Sequence, residues 1–307
     1  MGETGRVTGD RFDEVWRAAL AAATRLGAEL GLPTGERRVL SNRGNLVVHL
    51  APAPVVVRVA TLTAWTRREP RAWLEREVAV ARYVADRGGP VVPPSSLVDP
   101  GPHRRDGFAL SLWTYLPAAQ RRADPVAAGE ALAVLHGALV GCPRELPLLS
   151  PVREQIGDGL AALERAEVLD RERLAALRAR HERVLADLAQ VDEPVVALHG
   201  DAHPGNLLGV GAGWWWTDLE ETCRGPREWD LAVLAGACGA DGGAALRAYA
   251  SAAGVPVPTA DALAPFVRAR ELEAVVWALG MAHQCPARYR AAARALLEDV
   301  LGGRAST

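Results

Sequence analysis

Residues 197–208, ALHGDAHPGNLL, place polar side chains between two apolar runs. The Pro-Gly pair in the middle interrupts regular structure, so Asp201 and Asn206 are predicted to lie on a turn. Twelve residues after Asn206, the strand-like run WWWTDLEE contributes Asp218. Two strands joined by GVGAG would bring Asn206 and Asp218 to the same rim.

The residue types on this rim suit phosphoryl transfer. An amide oxygen and a carboxylate form a hard-oxygen pair for Mg²⁺, which takes its other ligands from water and phosphate. Asp201, on the same loop, would be free to face a substrate hydroxyl. One acid for the acceptor, with an Asn and an Asp for the metal, is the arrangement that moving a phosphoryl group requires.

HGDAHPGN, followed by TDLE and GPREWDLA, resembles the aminoglycoside phosphotransferase and choline-kinase-like superfamily. The resemblance covers most of the chain. RVLSNRGNLVVHL matches the nucleotide-covering hairpin, VVVRVA the strand with the phosphate-contacting basic residue, LEREVAV the next helix, and LWTYLP the hinge. It implies an α+β, bilobal protein-kinase-like fold with a small antiparallel β-sheet N-lobe and a larger, mainly helical C-lobe.

The resemblance also implies roles for individual residues. Asp201 would be the catalytic base, and Asn206 and Asp218 would hold Mg²⁺. Arg58 would contact the α- and β-phosphates of ATP or GTP, with Glu77 as its ion-pair partner.

The resemblance further implies a hinge over residues 113–116, whose backbone groups would read the adenine edge. This hinge comprises Trp113, Thr114, Tyr115 and Leu116. Residues 1–116 would then form the nucleotide-covering lobe, and residues 117–307 would form the helical lobe with the catalytic loop and acceptor site.

Two features depart from the family pattern. The family usually has lysine where this chain has Arg58, and the chain contains no lysine at all. A guanidinium can clamp phosphate bidentately, but it is bulkier and differently hydrated. The cover loop SNRGN also offers a single glycine. Both departures favour an alternative hypothesis, a pseudokinase that acts as a nucleotide-binding or scaffold protein, whereas the intact trio of Asp201, Asn206 and Asp218 argues against it.

Neighbouring residues are predicted to support the loop. His199 would hydrogen-bond the loop and hold its shape, while His203 could contact phosphate or face solvent. Glu220 could be a supporting or a metal-binding acid. Asp230 would cap a helix or anchor the loop, and at least one ring of Trp214–Trp216 would pack in the core.

Periodicity predicts the elements that position these residues. An amphipathic helix is expected over residues 11–30, followed by β-rich runs interrupted by APAP. A helix over AWLEREVAVARYVADRG and a strand over GFALSLWTYLP complete the first lobe. Helical signals dominate after residue 117, including the charge-rich segment 153–186, which reads as a helical pair.

Composition narrows the class of protein. The formal charge is −2 and no Arg-rich run is interleaved with aromatics, so nucleic acid is not expected as a partner. Four scattered cysteines without a CxxC pair indicate neither zinc nor disulfides. No apolar segment reaches the ~18 residues of a membrane span, and the N-terminus lacks a signal-like apolar stretch, so a cytoplasmic protein without a membrane partner is expected. The oligomeric state stays undecided.

The acceptor, a small-molecule hydroxyl, is not decided by the motifs. Amino sugars, aminoglycoside-like antibiotics, macrolides, choline-like alcohols and housekeeping metabolites all remain open. A macrolide would suit an apolar groove lined by Trp277 and Met281. A phosphatase or nuclease would need a second acid within metal-bridging reach and no hinge. A polycationic acceptor would need clustered carboxylates, for which the candidates are Glu220, Glu221, Glu228, Glu271 and Glu273.

Overall fold

The structure, a computed structural model, describes residues 10–117 and 122–302. Its first lobe is built on an antiparallel sheet of five strands in the order β1-β2-β3-β5-β4. The elements of this lobe are α1 Asp10–Glu29, β1 Thr34–Asn42, β2 Asn45–Pro52, β3 Val55–Ala60, α2 Pro70–Ala85, β4 His103–Arg105 and β5 Phe108–Thr114.

Strand β3 is the buried centre of this sheet. All six residues of VVVRVA are buried, because β-branched side chains pack well on a pleated surface covered on both faces. Its one charged residue, Arg58, lies opposite Val47 of β2 and Ser111 of β5. The guanidinium of Arg58 is therefore buried at the middle strand of the sheet.

Helix α2 begins with Pro70, whose fixed φ and missing N–H suit the first turn of a helix. The predicted helix is confirmed, although it ends at Ala85, before the left-handed Gly88. Its buried face includes Trp73, Val78 and also the acid Glu77, which α2 turns towards β3.

The second lobe is mainly helical, which confirms the predicted α+β, bilobal, kinase-like architecture. Its helices are α3 Pro125–Leu139, α4 Ile156–Arg165, α5 Arg171–Leu188, α6 Glu228–Cys238, α7 Gly242–Ala253, α8 Ala260–Gln284 and α9 Pro286–Leu301. Two short antiparallel pairs complete it, β6 Val195–Leu198 with β9 Cys223–Pro226, and β7 Leu207–Val210 with β8 Gly213–Trp216.

The end of α8 reaches back into the first lobe. Met281 and Cys285 are buried within the hydrophobic core formed by α1 and the sheet. Gln284 donates a hydrogen bond to the carbonyl of Leu62 at 2.9 Å, and the Tyr289 hydroxyl donates to the carbonyl of Arg43 at 3.2 Å. The C-terminal helices thus fasten the two lobes together, a contact that the sequence pattern did not predict.

Within the described part of the chain, no helix combines the length and the apolar character that a membrane crossing demands.

Candidate active site

The β7–β8 hairpin places two predicted metal ligands side by side. Leu207 pairs with Trp216, and the Thr217 N–H donates to the carbonyl of Asn206 at 2.9 Å. Asn206 precedes one strand and Asp218 follows the other, so both lie at the same end of the hairpin, as the sequence predicts. The geometry thus produces the expected rim.

Asn206 is also tied to the predicted base. Its amide nitrogen donates to the backbone carbonyl of Asp201 at 2.9 Å and to Asp201 Oδ2 at 3.3 Å. Because the nitrogen is used in this way, the amide oxygen is the atom turned towards other partners. Asp218 adopts a left-handed backbone, with φ of 63°, which Asp tolerates better than most residues.

The buried carboxylate of Asp230 anchors the loop that carries Asp201. Asp230 is fully buried and accepts hydrogen bonds from the N–H groups of His199 at 2.7 Å and Gly200 at 2.9 Å. His136 Nε2 lies 2.9 Å from the same carboxylate. Asp230 lies in the first turn of α6, whose N-cap is Arg227. The predicted anchor is therefore confirmed, and the alternative cap is wrong because the helix begins earlier.

Gly200 and His199 complete the support of the loop. Gly200 has φ of +93°, and a Cβ there would lie 2.1 Å from the carbonyl oxygen of Glu221, so only glycine fits. His199 is fully buried; Nδ1 accepts from the Asp201 N–H at 3.2 Å and Nε2 lies 3.0 Å from the carbonyl of Thr217. Burial lowers the pKa of His199, so the ring stays neutral and structural, as predicted.

Replacing Asp230 with asparagine should destabilise the fold by about 2–3 kcal/mol, because one amide N–H₂ would then face backbone donors without an acceptor. Thermal melting should show a lower Tm and, at temperatures where the variant stays folded, weaker activity. Asp106→Asn, which disturbs only an exposed pair with Arg25, is the matched control and should melt like the wild type. Equal Tm values for Asp230→Asn and the control would contradict this role.

Arg58 joins the two lobes through three carboxylates. Its Nη1 lies 2.6 Å from the Glu77 carboxylate, and its Nη2 lies 2.5 Å from that of Asp218 and 2.9 Å from that of Glu220. The predicted pairing of Arg58 with Glu77 is therefore present. Burial and the neighbouring carboxylates raise the pKa of Glu77 to about 8, although Arg58 opposes the shift.

A second arginine continues this network. Arg67 lies 2.7 Å from the Glu220 carboxylate and 3.2 Å from that of Glu221. Arg76 donates to the backbone carbonyl of Glu220 at 2.8 Å, and both guanidinium groups stack on Trp73. Since the two carboxylate oxygens of Glu220 face Arg58 and Arg67, Glu220 supports the arginines around the site.

The acidic residues outnumber the arginines in this cluster. Three arginines pair with six carboxylates among the described residues, and the pKa values of Glu77 and Glu221 are raised, chiefly by burial. Oxygen Oε2 of each of these two has no hydrogen-bond partner in the described residues. The carboxylates are Glu77, Asp201, Asp218, Glu220, Glu221 and Glu273, and the arginines are Arg58, Arg67 and Arg270.

This surplus of acid suits a divalent cation. The Asn206 amide oxygen and the Asp218 carboxylate are hard ligands, and the Asp218 side chain is 37% exposed to the cleft. Residues 10–117 and 122–302 hold no group of three His, Cys, Asp or Glu placed to cage a metal ion. Mg²⁺ commonly binds through one or two carboxylates and completes its shell with water and phosphate.

Asp201 faces the guanidinium of Arg270 and the imidazole of His203. Arg270 of α8 donates to Oδ1 at 2.7 Å, and His203 Nε2 lies 3.4 Å from Oδ2. Burial alone would raise the pKa of Asp201, but Arg270 and the hydrogen bond from His203 outweigh it and hold the pKa well below its usual range. The same contact raises the pKa of His203 against the effect of burial. Asp201 is therefore ionised, as a proton acceptor must be.

Two backbone N–H groups of the predicted hinge, residues 113–116, already donate hydrogen bonds within the protein. The Thr114 N–H donates to the carbonyl of Pro93 at 3.0 Å, and the Tyr115 N–H donates to that of Pro54 at 2.9 Å. No hydrogen bond between described residues occupies the N–H of Leu116.

Two hinge side chains are packed rather than open. Trp113 is buried in β5, where its indole donates to Ser111 Oγ at 2.9 Å. The ring of Tyr115 stacks on His49, with centroids 3.7 Å apart and nearly parallel planes. These contacts pack the connection between the lobes against strands β5 and β2.

The side chains considered for acceptor binding are mostly engaged. Glu271 lies 3.8 Å from Arg180, and Glu228 is buried at the start of α6. Met281 is fully buried, and Trp277 packs edge-on against Tyr289, so they do not form an open apolar groove. Trp216 is likewise buried, which confirms that one ring of the tryptophan run belongs to the core.

The sequence was compared with models of known protein families. The model of the phosphotransferase enzyme family matches residues 37–266, which is more than half of the chain. The chain belongs to this family. No curated protein matches the sequence closely enough to count as a relative.

Solved structures show the same fold as this phosphotransferase-family chain. A choline/ethanolamine kinase family protein from Mesorhizobium loti is 22% identical, with 95% of this chain and 94% of that chain covered and a TM-score of 0.61. The amicoumacin kinase hAmiN, solved with AMP-PNP, Ca²⁺ and its ligand, is 14% identical, with 95% and 96% covered and a TM-score of 0.69. An aminoglycoside phosphotransferase from Streptomyces rimosus, in complex with ADP and streptomycin, is 18% identical, with 82% and 97% covered and a TM-score of 0.56.

Proposed function

We propose that this member of the phosphotransferase enzyme family is a Mg²⁺-dependent kinase that transfers the γ-phosphoryl group of ATP or GTP to a hydroxyl of a small molecule. The observation that carries the proposal is the convergence of Asp201, Asn206 and Asp218 at one end of the β7–β8 hairpin, against Arg58. Asn206 contacts Asp201 and Arg58 contacts Asp218.

The nucleotide would bind between a covering lobe, residues 1–116, and a helical lobe, residues 117–307, with the hinge at 113–116. Leu116 would offer its N–H to the base. Arg58, fixed by Glu77 at 2.6 Å, would turn its other N–H groups towards the α- and β-phosphates. Asn206 and Asp218 would hold Mg²⁺, which when bound neutralises charge on the phosphates.

Transfer would be direct and in line. The acceptor oxygen forms a bond to the γ-phosphorus as the bond between that phosphorus and the β,γ-bridging oxygen breaks, and a nucleoside diphosphate leaves. The proton of the acceptor hydroxyl passes to the Asp201 carboxylate. Positioning supplies most of the rate enhancement, because the protein forms no covalent bond to the phosphoryl group.

One observation favours the second candidate, a pseudokinase. Arg58 lies 2.5 Å from Asp218 and so occupies a predicted metal ligand, while Arg270 occupies the predicted base. In a pseudokinase these contacts would persist with nucleotide present. In a kinase, Mg-nucleotide would draw Arg58 to the phosphates and leave Asp218 to the metal.

Nucleotide binding separates the two candidates. ATP or GTP with Mg²⁺ should raise the Tm of the wild-type protein, because a ligand that binds only the folded state stabilises it. EDTA should remove most of the shift. Nucleoside diphosphate release should then rise with one class of acceptor among aminoglycosides, macrolides, amino sugars and choline-like alcohols. A Mg-dependent shift without release for any acceptor, or no shift at all, would favour the pseudokinase.

A further inference from the structure

Arg270 lies where an acceptor hydroxyl must approach. A general base has to come within about 2.6–3.2 Å of the group that it deprotonates. Asp201 Oδ1 already lies 2.7 Å from Arg270 Nη2, and Oδ2 faces Asn206 at 3.3 Å and His203 at 3.4 Å. An acceptor that reaches Asp201 must therefore share or replace the contact with Arg270.

The permanent positive charge beside Asp201 is partly exposed. The Arg270 side chain is 29% exposed, and the His203 side chain, which also lies near Asp201, is 32% exposed. Glu273, the acid on the far side of Arg270, is only 5% exposed and also accepts a hydrogen bond from Gln155 at 2.8 Å. Arg270 therefore offers its positive charge to an acceptor beside Asp201, whereas Glu273 on its far side is already paired.

Arg270 is held so that it can exchange one partner and keep the other. Its Nη1 donates to Glu273 Oε2 at 2.6 Å, an i,i+3 contact on α8 that fixes the guanidinium in the cleft. Its Nη2 donates to Asp201, so the guanidinium already binds a carboxylate at the point where the acceptor enters. A planar guanidinium suits carboxylate oxygens better than any other side chain does.

We propose, on the basis of the proposed kinase function, that the acceptor carries a carboxylate close to the hydroxyl that is phosphorylated, and that Arg270 binds this carboxylate. The substrate group takes the place of Asp201 on Nη2, while Glu273 keeps Nη1. Asp201 is then released to the hydroxyl. An ammonium group in the same place would meet Arg270 as a like charge and would find Glu273 occupied.

Matched acceptors and matched variants test this assignment. The probes are 3-hydroxypropanoate, glycerate and gluconate, each beside its primary amide, with ethanolamine, choline and glucosamine as amino alcohols. Nucleoside diphosphate release with Mg-ATP and Mg-GTP gives kcat and KM for wild type, Arg270→Gln and Arg270→Lys. Arg268→Gln is the control, because Arg268 lies on the same helix and pairs with Asp187 at 2.9 Å on the surface.

The wild type should use at least one carboxylate acceptor and prefer it to its amide. Arg270→Gln should raise KM for that carboxylate by about 10- to 100-fold, the loss expected for one charge-assisted contact. The amide should be affected far less, Arg270→Lys should recover part of the loss, and Arg268→Gln should match the wild type.

Three outcomes would overturn the inference: turnover of amino alcohols but of no carboxylate, preference for the amides, or an unchanged carboxylate preference in Arg270→Gln. The first of these would leave the proposed kinase function intact, provided that turnover depends on Asp201. Failure of the proposed function is a different result, namely absence of phosphoryl transfer to every acceptor, with or without a Mg-nucleotide effect on the Tm.

Discussion

Asp201→Asn should lower kcat by about 10²- to 10⁴-fold, the range for loss of a general base. Asparagine keeps the shape of the side chain but cannot accept the proton. The KM for Mg-nucleotide should change little, because Asp201 faces the acceptor side, where its Oδ1 meets Arg270. Steady-state kinetics with a saturating acceptor would measure both quantities.

The control for this variant is Asp187→Asn. Asp187 also pairs with an arginine of α8, at 2.9 Å, but on the exposed surface away from the loop. It should retain wild-type kcat and Tm. Turnover of Asp201→Asn equal to that of this control would remove Asp201 from the mechanism.

Arg58→Met should destabilise the protein by about 3–5 kcal/mol, as expected when one partner is removed from a buried ion pair. Methionine fills the stem of the side chain but leaves Glu77, Asp218 and Glu220 without their shared cation. Chemical denaturation would measure the loss. The KM for nucleotide should also rise, and by more than in Asp201→Asn, because the proposed function places Arg58 against the phosphates.

The pH dependence of this loss has a definite sign. Without Arg58, the buried carboxyls have pKa values above those of the unfolded chain, so the folded state binds protons more readily than the unfolded state. The destabilisation should therefore be smallest at acidic pH and grow as the pH rises through the folded-state pKa. Arg25→Met, which breaks an exposed pair with Asp106, should show neither effect. A pH-independent loss, or none, would contradict the cluster as described.

The sequence predicted that Asn206 and Asp218 lie at the same end of a hairpin because that signal is local. The Pro-Gly pair, the short β-hairpin and the spacing from Asn206 to Asp218 are set within about twenty residues, where turn chemistry and strand pairing decide the geometry. The Arg58–Glu77 pair was also predicted, but through the family resemblance, since a charge on an amphipathic helix has no local reason to be buried.

The contacts of Arg270 could not be predicted in this way. Arg270 and Asp201 are 69 residues apart and meet only because the fold brings α8 next to the loop that carries Asp201. Neither the helical period nor the composition of RARELEA shows which side chain points at the loop. The acids considered for a cationic acceptor illustrate the same limit, because Glu273 proved to be paired with Arg270.

The packing of Met281 into the first lobe has a similar cause. Its spacing from Trp277 fitted either a groove or a core. The end of α8 packs against the first-lobe sheet, so Met281 belongs to the core. The hinge shows a finer limit. The carbonyls of Pro54 and Pro93 accept hydrogen bonds from the N–H groups of Tyr115 and Thr114. No sequence pattern in the loops around these prolines predicts those hydrogen bonds.

The most direct test of the kinase assignment is the product itself. Wild-type protein is incubated with Mg²⁺, γ-labelled ATP or GTP and the acceptor panel, and the acceptors are analysed by mass spectrometry. The account predicts one acceptor that gains a single labelled phosphoryl group, with this gain abolished by EDTA and reduced at least about 100-fold in Asp201→Asn. Labelled phosphate that appears only as free phosphate, or transfer that persists in Asp201→Asn, would contradict it.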